Sequence, residues 1–267
     1  MAQIPFKVPS FLSLNVDNYA DTIDADLHVA ATKVPAERIS LDQYWYEAWN
    51  AVGARGDGHG MLEQLLAAYA EPHRQVRGRD HLLHCLSTLN RWREETHFFY
   101  VLAMGLWYHD ICFDPNRHDN EARSARVAMS HLTAAGVAPD LSKAVRDLVI
   151  ATRPGEVPQG AESRLINDID RSILGADEQR FNRYERGLRA EHNSVSDFVY
   201  RRRRIEQLQS LLGKTRIYAS FSAHDELEAP ARANLARWLQ IWQETTQLPA
   251  ADEGGMPSAN ELPTHVV

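Results

Sequence analysis

The chain has 267 residues, 44% hydrophobic and 24% charged, with a formal net charge of -7, which suits one large domain with a substantial buried core. That acidic balance, with a pI near 5.9, argues against broad binding to nucleic-acid polymers or acidic membranes, whose surfaces favour basic proteins. Any phosphate recognition is then local, and Cys85 and Cys112, which lie in apolar sequence without paired spacing, set aside a disulfide framework or a cysteine zinc site and fit a reducing cytoplasm.

Residues 1–37 hold three prolines and no helical period, and read as an N-terminal extension. The opening MAQIPFKVPSFLSLN lacks a charged segment followed by a long apolar run, so it does not read as a signal peptide. From residue 38 to 247 helical signals are frequent and runs of alternating β-branched residues are scarce. The pattern predicts an all-α protein with a single helical domain.

Ser40 and Gln43 read as a capping box ahead of LDQYWYEAWNAVG, a helix closed by Gly53. GARGDGHG follows as a loop, and MLEQLLAAYA as a helix stopped before Pro72. Further helical segments are predicted to start near His81, Glu95, Glu121, Leu141 and Asp177. Phe98 to Tyr108, the longest apolar run at eleven residues, is too short to cross a bilayer and suits a buried helix. Late in the chain, Phe198, Ile205, Leu208 and Leu212 form one apolar stripe, and Leu227, Ala231, Leu235, Trp238 and Trp242 another. Residues 248–267, rich in Gly, Pro and small polar residues, read as a disordered tail.

Several features carry chemistry. His109 and Asp110 come straight off the apolar run, and an ionised carboxylate there needs a cation or hydrogen bonds to offset burial; a helix end facing water is the plainer reading of the pair. In LINDIDRSILGA, Asp168 and Asp170 stand two apart among apolar residues. One can ligate an ion while the other caps a helix or holds a ligand. His81 and His84, three apart in VRGRDHLLHCL, share a helix face and read equally as ligands or as boundary residues. Arg201 to Arg204 reads as a solvated face with Glu191, Asp197 or Glu206 as partners.

In order, His81, His109-Asp110 and Asp170 resemble the HD superfamily of metal-dependent phosphohydrolases. The chain is most similar to a bacterial group of predicted HD phosphohydrolases with a tryptophan-bearing helix and a YxEPHR motif, here Trp49 and YAEPHR from Tyr69 to Arg74. The likeness continues through Asp114, NEARSA from Asn120 to Ala125, DIDRSILG from Asp168 to Gly175, RAEH from Arg189 to His192, and Ala231 to Leu235. It covers roughly residues 40 to 245.

This resemblance implies a single HD-type domain with flexible extensions, in which His81, His109, Asp110 and Asp170 bind one divalent metal ion, any of Mn, Fe, Co, Ni, Zn or Mg. Asp114 would orient the attacking water, and Arg77 would stabilise phosphoryl charge. Arg74, Arg171, His73, Asn120 and Glu121 would contact the substrate, a small phosphorylated molecule such as a nucleotide. A cytoplasmic enzyme is expected, with no nucleic-acid polymer and no membrane as partner; a homo-oligomer stays open. Two departures stand out. Arg77 occupies the place of a histidine that acts as general acid, and an arginine does not readily give up a proton. Gly155 occupies the place of another histidine, which favours a single metal. The alternative is a degenerate HD domain that binds a phosphorylated ligand without turnover.

Overall fold

The computed structural model describes residues 40–247, so both expected extensions lie outside the described residues. Within that span the chain forms ten α-helices, two short 3-10 helices and no strand. Helix α1 (Leu41–Ala51) starts at the predicted cap, with Ser40 Oγ accepting the Gln43 N–H at 3.2 Å. The capping box is half made, because the Gln43 amide turns instead to Glu47 at 3.0 Å. Trp45 and Trp49 of α1 donate their indole N–H groups to the carbonyls of Gly58 and Gly56, each at 3.1 Å. This pins the GARGDGHG loop. Gly58 is required there twice over: its φ is 69° and an added Cβ would stand 2.8 Å from the Trp49 ring.

Helix α2 (His59–Ala68) leads through the YAEPHR turn into α3 (Arg79–Arg91), which delivers His81 and Cys85 to one face. Helix α4 (Phe99–Tyr108) is the central pillar, with every residue from Val101 to Tyr108 buried. That is why the eleven-residue apolar run shows no polar face. The antiparallel pair α5 (Asn120–Ala134) and α6 (Pro139–Ala151) flanks it, followed by α7 (Ala161–Asp170). Gly105 lets α6 and α7 close onto α4, since a Cβ there would meet Ile166 Cδ1 at 2.9 Å and Leu148 Cβ at 3.2 Å. The close approach brings the ends of α4 and α7 together, and with them His109 and Asp170.

Of the remaining helices, α8 (Glu178–Glu191) and α10 (Phe221–Gln247) pack on the 3-10 turn Arg171–Gly175 that follows α7, and α9 (Asp197–Leu212) packs on α10. No helix among the described residues is long and apolar enough to cross a membrane. Three expectations needed correcting. Helix α7 stands where the sequence showed only two acids in apolar surroundings. Phe198 is exposed while Tyr200, Arg204 and Leu208 form the buried face of α9, so the inward stripe is one residue type short and one guanidinium richer than the apolar pattern suggests. Arg204 is therefore no part of a solvated run; it donates to both oxygens of Glu185, Nε to Oε2 at 3.1 Å, and Glu185 is wholly buried.

Removing one member of a buried ion pair strands the other charge. Glu185→Ala is expected to lower unfolding free energy by about 3–5 kcal/mol in urea denaturation, and the double variant Glu185→Leu/Arg204→Met to recover most of it. An unchanged midpoint for the single variant would show that the pair does not hold α8 to α9.

Candidate metal centre

Three helices supply one cluster of donor atoms. His81 and Cys85 lie one turn apart on α3, His109 sits immediately after α4, and Asp170 ends α7. One ligand atom from each of the four lies within 4.8 Å of every other. His81 Nε2 stands 3.1 Å from His109 Nε2 and 3.2 Å from Asp170 Oδ1, while His109 Nε2 is 3.6 Å from the same oxygen. Cys85 Sγ is 3.6 Å from His81 Nε2. Donors bound to one cation at about 2.0–2.3 Å are themselves separated by about 3.0–3.7 Å, so the spacing fits a single first-row ion.

The orientation of His109 fits the same reading. Its Nδ1–H donates to the Leu106 carbonyl at 2.7 Å, leaving the Nε2 lone pair aimed into the cluster. A backbone carbonyl fixing the tautomer in this way is usual for a metal-bound imidazole. His109 and Asp110 are nearly buried, not solvent-facing at a helix end. Asp110 stands beside the four donors, its Oδ2 3.3 Å from His109 Nε2 and 3.8 Å from His81 Nε2.

The charges offset one another. Burial raises the Asp110 pKa, but the adjacent His109 and then Arg77 outweigh it and hold the carboxyl down at about 2. Asp170 is likewise held well below the carboxylate range, burial being outweighed by His109 and His81. In return, burial of His109 is outweighed by Asp110 and Asp170, and its pKa is raised. Burial, with help from Asp170 and Asp110, pushes the Cys85 thiol up.

Around the cluster the arginines divide. Arg74 is buried and hands its donors to the protein: Nη1 to the Asp110 carbonyl at 2.6 Å, Nη2 to the Ile111 carbonyl at 3.0 Å and Nε to Glu71 at 2.9 Å. It clamps the chain where α4 ends and so positions His109 and Asp110. Arg77 lies over the Phe113 ring, its Nε 3.8 Å from Asp110 Oδ2 and its Nη1 2.6 Å from Glu191 Oε2. The other oxygen of Glu191 accepts the backbone N–H groups of Gln75, Val76 and Arg77 at 2.9, 2.9 and 3.2 Å. Glu191 thus serves this loop; Asp197 pairs with Arg189, and Glu206 meets Arg202.

The cluster opens into a cavity of about 720 Å³, whose lining includes Arg77, His81, His109, Asp110, Glu121 and Asp170, together with Arg171 and Gly155. His73, Asp114 and Asn120 are not in that lining. His73 stacks on Phe113, 5.9 Å between ring centres. Asp114 Oδ1 accepts the Asn116 N–H at 2.9 Å, and the Asn120 amide bonds the Asp114 backbone on both sides, at 3.1 and 2.8 Å. Asp114 and Asn120 thus hold the loop between α4 and α5, and His73, from the turn ahead of α3, packs on it. His84, pushed down to about 3 by burial and then by Arg180, is neutral. It lies 2.8 Å from Ser172 Oγ, which itself donates to the Ile169 carbonyl at 2.6 Å, so His84 Nε2–H is the donor and braces the turn after Asp170. The two acids of α7 divide as the sequence allowed: Asp170 joins the cluster, while Asp168 Oδ2 accepts the Ala219 and Ser220 N–H groups at 2.8 and 2.6 Å.

Sequence reasoning missed Cys85. Its signal is the four-residue spacing from His81, which puts two donors on one helical face. No protein-family model, curated protein or solved structure matches this chain.

Cobalt is a direct probe of the centre. The wild-type protein is expected to bind one cobalt per chain with a thiolate-to-metal absorption band; Cys85→Ser should keep cobalt but lose the band, and Asp170→Asn should weaken binding by about tenfold or more. Because His109 and Cys85 must both shed protons to act as ligands, affinity should rise with pH and protons should be released on binding. A band that survives in Cys85→Ser would remove the sulfur from the centre.

Proposed function

We propose that the protein is a metal-dependent phosphohydrolase acting on a small phosphate ester, a nucleotide or another phosphomonoester, as its HD-type motifs imply. The observation that carries this reading is the convergence of His81, Cys85, His109 and Asp170, three of which, His81, His109 and Asp170, line a cavity that also presents Arg171. A divalent cation held there supplies Lewis acidity toward a phosphoryl oxygen and makes hydroxide available near neutral pH. The chain's own residues do the rest. Asp110 adds a carboxylate next to the four donors, to accept a proton or complete the ligand set. Arg171 lines the cavity, with Asp168 as its nearest acidic influence, and can neutralise phosphoryl oxygens. Arg77 adds to His109 in keeping Asp110 ionised and holds the loop ahead of α3 through Glu191.

Protonation of the leaving group is the weak point of the arrangement. Arg77 is locked to Glu191, the neutral His84 is committed to Ser172, and His73 and Asp114 lie outside the lining. The proton then comes from water, and reactivity depends steeply on the leaving group. The same lock on Arg77 favours a second reading, a domain that binds a phosphorylated ligand and does not turn it over.

Phosphate release with manganese or cobalt separates the two. p-Nitrophenyl phosphate, with its acidic leaving group, is expected to be cleaved faster than an alkyl phosphate by well over tenfold, and His109→Ala and Asp110→Ala to fall to the level of the chelated protein. Release that persists unchanged in both variants would overturn the mechanism. Thermal stabilisation by phosphate esters without product would establish the binding-only reading.

A further inference from the structure

The cavity beside the metal cluster has more room and more positive charge than one phosphate uses. Its volume of about 720 Å³ is that of a site for a whole small molecule, yet the cluster and Arg77 form only part of the lining. Another part comes from α9 and the residues just after it: Arg203, Gln207, Ser210, Leu211 and Lys214. Arg171, next in the chain after Asp170, lines the same space.

The cations of this lining fall into two groups. Arg77 and Arg204 are neutralised from behind by Glu191 and Glu185. Arg171, Arg203 and Lys214 have side chains that make no ion pair and no hydrogen bond among the described residues. Of the nearby acids, Glu206 meets Arg202 at 3.8 Å, Glu121 lines the cavity from the first turn of α5, and Asp168 attracts both Arg171 and Lys214 without an ion pair to either. Arg171 is near enough to Lys214 that, after partial burial, it is the next cause holding the ammonium below its ordinary pKa, with Asp168 acting the other way. Like charges gathered on one cavity wall repel unless an anion sits among them, and here they gather in a chain whose net charge is -7. Ile173, Leu174 and Leu211 supply an apolar stretch of the same lining.

We propose that Arg203 and Lys214, with Arg171, form a second anion subsite, and that the ligand is a small molecule carrying two phosphates, one at the metal cluster and one on this wall. The ligand's uncharged middle lies along Ile173, Leu174 and Leu211. The proposal rests on the metal-centre reading for the first phosphate alone.

Two nucleotides that differ by one phosphate test it. Calorimetry of the full chain, with and without manganese, compares adenosine 5′-monophosphate with adenosine 3′,5′-bisphosphate. The wild-type protein is expected to prefer the bisphosphate by about tenfold or more, and Arg203→Met/Lys214→Met to bring the ratio to within about twofold, with manganese content and unfolding midpoint retained. A ratio near one in the wild type, no binding of the bisphosphate, or a ratio that survives the double substitution would overturn the subsite. Failure of hydrolysis leaves this affinity ratio intact, and failure of the subsite leaves release from p-nitrophenyl phosphate intact, so the two are distinguishable.

Discussion

Asp110 and Asp170, two ionised carboxylates, are held against two imidazoles where α3, α4 and α7 meet, and much of the molecule is arranged to make that tolerable. A charge taken out of water costs several kcal/mol unless a partner compensates it, and the carboxylates here share His81 and His109 as their nearest partners. The mutual shifts, imidazole up and carboxyl down, describe a cluster that holds a positive charge. A proton is one occupant; a divalent cation, with Cys85 as a further donor, is the occupant the spacing fits.

Keeping those groups in place falls to residues that never touch the cavity's contents. Arg74 ties off the carbonyls of Asp110 and Ile111, which the end of α4 would otherwise bury without donors. Glu191 gathers three backbone N–H groups and the Arg77 guanidinium, setting the loop that launches α3 and therefore the aim of His81. His84 braces the turn after Asp170. Gly105 and Gly187 permit the approaches these contacts need: a Cβ on Gly187 would stand 2.5 Å from Val76 Cγ1. The motifs that look like substrate contacts in the sequence are in large part the frame of the site.

How much of this was legible in the sequence follows from what each signal encodes. Helix class and most helix positions came from apolar spacing and caps, because burial acts directly on that spacing; Asp177, for example, caps α8 through the Arg180 N–H at 2.9 Å. Helix α7 is obscured because its buried face carries Asn167 and Asp168, polar residues whose partners include groups remote in sequence, the Ala151 carbonyl for the Asn167 amide and the Ala219 and Ser220 N–H groups for Asp168. Arg204 hid in a basic run for the same reason, its partner Glu185 lying on another helix. His81, His109 and Asp170 stand out by their order along the chain, but Cys85 lies among apolar neighbours without a paired cysteine, and it is fully buried. The resemblance implies a substrate contact for Arg74, while its burial and its carbonyl partners exist only in three dimensions.

X-ray absorption at the metal edge of the cobalt-loaded protein tests the central claim most directly. The account predicts a first shell containing imidazole nitrogens, carboxylate oxygen and one sulfur at about 2.3 Å, with the sulfur lost in Cys85→Ser. A shell of water-like oxygens alone, unchanged by His109→Ala, would contradict it.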